Sequence, residues 1–229
     1  AVVVDGEKLT LSSARSRYTL ATLPATDFPA TDQFETIENV EIQEDKLKHQ
    51  LDKTAFAMAN QDVRYYLNGL LFEFKDGAMH TVATDGHRLA VCDLEGTVSL
   101  KHDRQIIVPR KGVLELARML TDSKDIVLLG LGKNHVRLQK GGSALTSKLI
   151  DGRFPDYQAV IPIGADRRIE VERGAFIHAL QRAAILSNEK YKGVRLEAAG
   201  KTIKIVAHNP QQEEAEETLE AKLNFDQLS

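Results

Sequence analysis

At 229 residues the chain has room for one large domain or two small ones. Its 28% of charged residues, with no apolar run near the roughly 20 residues that span a bilayer, exclude a helical membrane protein. The lone Cys92 excludes an internal disulfide framework and fits a reducing, cytoplasmic setting, and a net charge of −3 argues only weakly against nucleic acid, because the distribution of charge over faces decides.

Nothing at the start resembles a signal peptide. The chain opens without methionine on Ala1-Val-Val-Val4, which reads as the middle of a strand, so an upstream piece is expected to be missing. Leu9-Thr-Leu11 and Tyr18-Thr-Leu20 alternate as half-buried strands do. Phe28-Pro29 breaks the pattern, and a polar connector with Asp32 and Gln33 follows before a strand at Val40-Glu-Ile42. From Asp45 the period changes: Leu47, Leu51, Ala55 and Met58 form one stripe of a helix expected to end near Asn60. Strands follow over Tyr66 to Phe74, Met79 to Ala83 and His87 to Leu94, the first two joined by a Lys75-Asp76-Gly77 turn. A second helix is expected from Lys111 to Leu120, then strands at Ile126–Leu129, His135–Lys140 and Ser143–Leu149. After Phe154-Pro155 come a strand at Ile169-Glu-Val171, a third helix from Gly174 to Ser187, and strands at Val194–Glu197, Thr202–Ala207 and Glu213–Lys222.

This order repeats itself. Blocks around Ile42 and Val171, around Thr81–Asp85 and Ile205–Asn209, and around Phe28 and Phe154 match at a nearly constant spacing of about 125–130 residues. Such a chain holds the end of one repeat, one whole repeat and the first part of another.

Some segments are more specific than the repeat. Gln61-Asp-Val-Arg-Tyr-Tyr-Leu-Asn-Gly69, Thr81-Val-Ala-Thr-Asp-Gly-His-Arg-Leu-Ala90 and Val108-Pro-Arg-Lys-Gly112 closely resemble the β subunit of bacterial DNA polymerase III. So do Asp151-Gly-Arg-Phe-Pro-Asp-Tyr157, Ala184-Ile-Leu-Ser-Asn-Glu-Lys190 and Asn209-Pro-Gln-Gln-Glu-Glu-Ala-Glu-Glu217. The resemblance implies an α+β DNA-clamp fold of repeated domains, antiparallel sheets outside and two helices inside each. It divides the chain into residues 1–36 (end of a first domain), 37–165 (a complete second domain) and 166–229 (the first part of a third). It further implies a non-catalytic processivity factor: a homodimeric ring, when full length, that encircles duplex DNA without sequence preference. Through a peptide groove it would hold the polymerase III catalytic subunit, the clamp loader and other proteins with clamp-binding motifs, with no cofactor, metal or membrane involved.

The residues themselves admit blander readings. Arg173 and Arg182 on the third helix, and Arg110, Lys111 and Arg118 on the second, would suit a wall facing phosphates, or simply a solvated face. Gln61, Arg64, Tyr65 and Tyr66 could hydrogen-bond phosphates and stack on a base, or the tyrosines could pack inward from a strand. The family resemblance assigns Gln61, Arg64, Tyr65, Tyr66, Arg110 and Lys111 to DNA. Asp85 and His87, with Cys92 nearby, invite an enzymatic or metal reading, but no nucleophile elbow or metal-ligand spacing accompanies them. The resemblance instead makes Leu67, Thr84, Gly86, His87, Arg88, Leu89, Pro155 and Val160 the lining of the peptide groove between the second and third domains. Ala159 departs from the arginine common in relatives, which removes one polar contact at its rim. Tyr18, Leu20, Ile185 and Leu186 fall where relatives meet across the subunit boundary, although apolar residues on periodic elements are usually core.

Overall fold

A computed structural model describes residues 1–28, 35–96, 100 and 102–228. The expected connector residues Pro29, Asp32 and Gln33 lie outside them. The chain forms two compact units, Ala1–Tyr157 and Gln158–Ser229.

The first unit opens with a three-stranded antiparallel meander, β1 (Val2–Asp5), β2 (Lys8–Ser13) and β3 (Ser16–Ala21). None of its residues is buried, and β3 forms one edge. The main body follows: β4 (Thr36–Gln43), α1 (Glu44–Thr54), β5 (Gly69–Lys75), β6 (Ala78–Thr84), β7 (Leu89–Leu94), β8 (Arg104–Pro109), α2 (Arg110–Met119), β9 (Ile126–Gly132), β10 (His135–Lys140) and β11 (Ser143–Lys148). These make two antiparallel four-stranded sheets, ordered β11-β10-β9-β4 and β7-β6-β5-β8. Ile42, Leu47 and Leu51 join Leu70, Phe72, Val113, Leu116 and Leu129 in one core shared by both sheets and both helices.

Several boundaries differ from the sequence reading; the third helix, expected to reach Ser187, stops at Ala183 and tightens into a 3-10 turn at Ala184–Leu186, and the strand expected from His87 begins at Leu89. The first helix stops at Thr54 and tightens into a 3-10 turn at Ala55–Ala57. Tyr65–Leu67 is a 3-10 turn rather than the start of a strand, closed by the Asn68 side chain, which accepts from the Asp62 amide and donates to the Asp62 carbonyl. Strand β8 was not anticipated, although Ile106-Ile-Val108 is a short apolar run of the kind that fills a doubly buried strand. The hairpin at Asp76-Gly77 is as expected: Lys75 pairs with Ala78 and both loop residues have positive φ, which makes a two-residue turn matched to strand twist.

Strand β5 explains the layering. Its Leu70, Phe72 and Phe74 enter the main core, while Leu71 points the other way into a second cluster with Leu67, Val82, Ile107, Phe154 and Tyr157. The sheet is therefore buried on both faces, and its outer face carries the site described below.

The second unit contains β12 (Ile169–Glu170), α3 (Arg173–Ala183), β13 (Arg195–Ala199), β14 (Thr202–His208), β15 (Glu214–Glu220), β16 (Lys222–Leu223) and β17 (Gln227–Leu228). Ala179 and Ala183 of α3 pack on Ile205 and Ala207 of the sheet β15-β14-β13-β17. The Glu172 side chain caps α3 by accepting from the Gly174 and Ala175 amides, which lowers its own pKa.

One buried charge ties the main body together. Glu44, at the start of α1, is fully buried and accepts from Lys140 Nζ at 2.5 Å and from the Thr121 hydroxyl at 2.7 Å, as well as from the Thr121 amide. Lys140 also donates to the Met119 carbonyl at the end of α2. Burial opposes the charged carboxylate, but the Lys140 and Thr121 bonds outweigh it and hold its pKa below the ordinary value. Glu44→Ala leaves Lys140 without its counter-charge and is expected to cost about 2–4 kcal/mol of stability in urea unfolding. With Glu44→Gln, the loss relative to wild type is expected in full above the ordinary carboxylate range. It shrinks as the pH falls through the lowered folded value, since the depressed pKa stabilises only the charged form.

Candidate functional site

Two loops border the apolar cluster on the outer face of the β7-β6-β5-β8 sheet. The first, Thr84 to Arg88, joins β6 to β7. Its Asp85 carboxylate accepts from the His87 amide at 2.9 Å and the Arg88 amide at 3.0 Å, and from Arg88 Nε at 3.2 Å. Thr84 Oγ1 accepts from the Gly86 amide and donates to the Arg88 carbonyl. Gly86 has φ +87°, so this tight turn needs a residue without a Cβ. Partial burial disfavours the Asp85 charge, yet the His87 and Arg88 amides and the Arg88 guanidinium prevail and lower its pKa. Both carboxylate oxygens are thus spent on shaping the turn, leaving no free base for His87. Burial, then the nearby Asp93, push the Cys92 thiol up, away from the reactive thiolate.

The second loop runs from Ile150 to Tyr157. Phe154 is buried against Leu67, Leu71, Val82 and Ile107, and the Tyr157 hydroxyl donates to Glu73 at 2.7 Å. Pro155 is thereby held exposed beside its buried neighbour. Leu89, half-buried, packs on the same cluster. The result is an apolar cluster on the outer face of the sheet, with Leu89 accessible at its margin, Pro155 and His87 exposed, and Leu67 only 2% exposed within it. Leu67 therefore belongs to the cluster rather than to its accessible margin. Arg88 turns toward the end of α1, donating to the Phe56 carbonyl at 2.7 Å with its guanidinium carbon 5.4 Å from the Phe56 ring centre. A separate cavity of about 580 Å³ opens beside the loop between Ile107, Ile150, Phe154, Arg104, Lys133 and Lys148, and includes neither Leu89 nor the Thr84–Arg88 turn. In the second unit, Val160 is exposed at the end of a 3-10 turn, Gln158–Val160.

The polar and aromatic segment comes next to this surface. Gln61 is exposed with φ +59°, Tyr65 is exposed, and Tyr66 is half-buried with its ring edge-on to Tyr65 at 5.7 Å. Arg64 is gripped by Asp62 through Nε at 3.0 Å and Nη2 at 2.8 Å, with a long contact from Nη2 to the Asp85 carbonyl at 3.4 Å. The Arg64 hydrogen bonds drop the Asp62 pKa to about 2. Arg110 starts α2 and donates to the Met58 carbonyl, and Lys111 beside it is exposed. The basic residues expected to face phosphates are not all free of carboxylates. Arg182 of α3 forms a two-point ion pair with Glu217 of β15, and Arg118 pairs with Glu115 on its own helix. Tyr18 and Leu20 on β3 are exposed, as is Ile185 after α3, while Leu186 is half-buried.

Residues 41–156 match the family model for the DNA polymerase III beta subunit, central domain, and residues 158–229 match that for its C-terminal domain. The chain belongs to the DNA polymerase III beta subunit family. It is 49% identical over 221 residues to the beta sliding clamp of Pseudomonas aeruginosa and 48% identical over 220 residues to that of Escherichia coli K12, covering 96% of this chain in each case. It spans about 60% of the length of these curated relatives. The crystal structure of the DNA polymerase III subunit beta from P. aeruginosa superposes with a TM-score of 0.90 at 48% identity, over 99% of this chain and 62% of that one. A sliding clamp from Bartonella birtlesii, solved bound to griselimycin, gives 0.91 at 36% identity over the same shares. The α+β architecture of this beta-subunit chain is thus the clamp fold.

Sequence reading missed Asp62, Gly152, Phe154 and Tyr157 as organisers of the site. For Asp62 a signal was available, since an acid two residues before an arginine is the pattern of a side chain that closes a turn on its own backbone. Phe154→Ala is expected to cost about 3–4 kcal/mol in chemical unfolding. It should also speed proteolytic cleavage within residues 150–157.

Proposed function

We propose that the chain acts as a DNA sliding clamp, a processivity factor that in a complete ring encircles duplex DNA and tethers the replicative polymerase. Residues 1–36, 37–165 and 166–229 would belong to its first, second and third domains, with the irregular stretch from Ile161 to Arg168 as the last connection. It catalyses nothing and works in the cytoplasm. Its partners are duplex DNA, the polymerase III catalytic subunit, the clamp loader and other proteins bearing clamp-binding motifs.

The observation that carries this reading is half-buried Leu89 packed on the apolar cluster of a doubly buried sheet, following the Thr84–Arg88 turn, with exposed Pro155 next to Phe154 of the same cluster. This arrangement suits a short extended peptide: a few apolar anchors can supply most of the binding energy, and polar edges with exposed His87 can fix its direction. Gln61, Arg64, Tyr65, Tyr66, Arg110 and Lys111 supply the contacts to the DNA backbone, which position without reading sequence. Tyr18, Leu20, Ile185 and Leu186 would lie at the subunit boundary of the complete ring. The pairing of Arg182 with Glu217 takes one arginine out of the phosphate-facing set.

Fluorescence anisotropy with a labelled peptide carrying the clamp-binding motif tests the reading. Wild-type chain is expected to bind, with Leu89→Asp weakening it by about tenfold or more and His87→Ala by less. Equal affinity for wild type and Leu89→Asp would overturn the groove.

A further inference from the structure

The segment from Ile150 to Tyr157 has no regular structure and is held at its start, middle and end. At its start the Ile150 amide donates to the Ile107 carbonyl of β8 at 2.9 Å. In its middle Phe154 is buried in the outer cluster. At its end Tyr157, only 8% exposed, donates its hydroxyl proton to Glu73 Oε2 at 2.7 Å. These holds are not equivalent. Apolar burial is non-directional, and the cavity of about 580 Å³ that opens against Ile150 and Phe154 leaves the loop space on that side. Packing alone therefore does not set where Pro155 points. The bond from Tyr157 is directional and its acceptor is a carboxylate, which makes it one of the stronger kind.

Glu73 is itself held in place. Strand pairing sets it opposite Gln105 on β8 and His80 on β6, with Asp93 of β7 opposite His80, so the four form a row across the outer face of the sheet. Gln105 Nε2 donates to Glu73 Oε1 at 2.5 Å, which leaves Oε2 for Tyr157. His80 Nδ1 lies 2.7 Å from Asp93 Oδ1, so that ring nitrogen is turned away from Glu73. The Thr84–Leu89 pair lies four residues along β6 from His80, roughly 13 Å at the rise of a strand. Glu73 is thus too far away to touch a side chain seated on Leu89.

We propose that Glu73, set by Gln105, is a positioning residue for the groove: it latches Tyr157 and so fixes the direction in which Pro155 meets a bound peptide. This rests on the groove reading above and deepens it. Without the latch the loop keeps its buried Phe154 and its bond to Ile107, but Pro155 is free to swing. A peptide must then order it on binding, and affinity falls by that amount.

The test uses the full chain and the labelled clamp-binding peptide in fluorescence anisotropy. Tyr157→Phe removes the hydroxyl and keeps the ring, while Glu73→Ala removes the acceptor. Each is expected to raise the peptide Kd about fivefold, and the two together no further, since both break one bond. Glu73→Gln keeps an acceptor oxygen, and its new amide can donate to a flipped Gln105 side chain, so it is expected to bind as wild type does. The deciding comparison is made with Pro155→Ala: in that background Tyr157→Phe is expected to change the Kd by less than about twofold, because the contact it positions is gone. General loosening of the cluster would instead weaken binding by the same factor in both backgrounds. If wild type does not bind, the groove reading falls and the inference with it. If wild type binds and Leu89→Asp does not, but Tyr157→Phe matches wild type or loses equally with and without Pro155, the groove stands and the latch is refuted.

Discussion

Strand β5 must bury both of its faces, and the rest of the site depends on that requirement. Leu70, Phe72 and Phe74 are taken by the helices and the opposite sheet, which leaves Leu71, with Val82 and Ile107 on the neighbouring strands, needing a second cover. Among the described residues no α-helix supplies it. Phe154 and Tyr157 do, from a segment without regular structure, and Leu67 does from a 3-10 turn. Apolar burial of this kind is non-directional, so it holds irregular backbone as firmly as a helix would. An irregular cover also leaves openings at its margins, and Leu89 and Pro155 lie there.

The polar chemistry of the region serves geometry. Asp85, which by its neighbours looks like half of a catalytic pair, gives its oxygens to the backbone of its own turn. Asp62 does the same for the preceding loop and then grips Arg64. In both loops a carboxylate satisfies amides that the tight turn leaves without partners; the Arg64 guanidinium and then its amide lower the Asp62 pKa, and, against burial, the His87 and Arg88 amides lower that of Asp85. Turns held in this way can present a binding edge without the support of a helix or strand.

Charge follows a similar logic at longer range. Glu44 draws the start of α1, the end of α2 and strand β10 onto one buried carboxylate, joining elements far apart in the chain. Arg182 joins α3 to β15. These pairs show why counting basic residues on a helix overstates what it can offer a partner: a guanidinium already bound to a carboxylate has little left for a phosphate. Arg64, held at two points by Asp62, is the same case as Arg182, while Lys111, exposed at the start of α2, is a different one.

The sequence alone determined the order of the three helices and of most strands, though not β8, together with the two-residue hairpin at Asp76-Gly77 and the apolar stripe that puts Leu47 and Leu51 in the core. These follow from local periodicity and turn stereochemistry, which each residue carries with it. The motifs around Gln61–Gly69, Thr81–Ala90 and Asp151–Tyr157 were legible as a family resemblance, and the family matches agree with it. The 3-10 turn at Tyr65–Leu67 was not, because aromatic residues ahead of an apolar strand look like more strand until the Asn68 side chain is seen to close the loop. Only the tertiary structure decided that Arg64 meets Gly86, that Tyr65 meets Gly152, and that Arg88 turns to Phe56. Those contacts join residues distant in the chain, and their partners are set by how the doubly buried sheet is covered rather than by any local pattern.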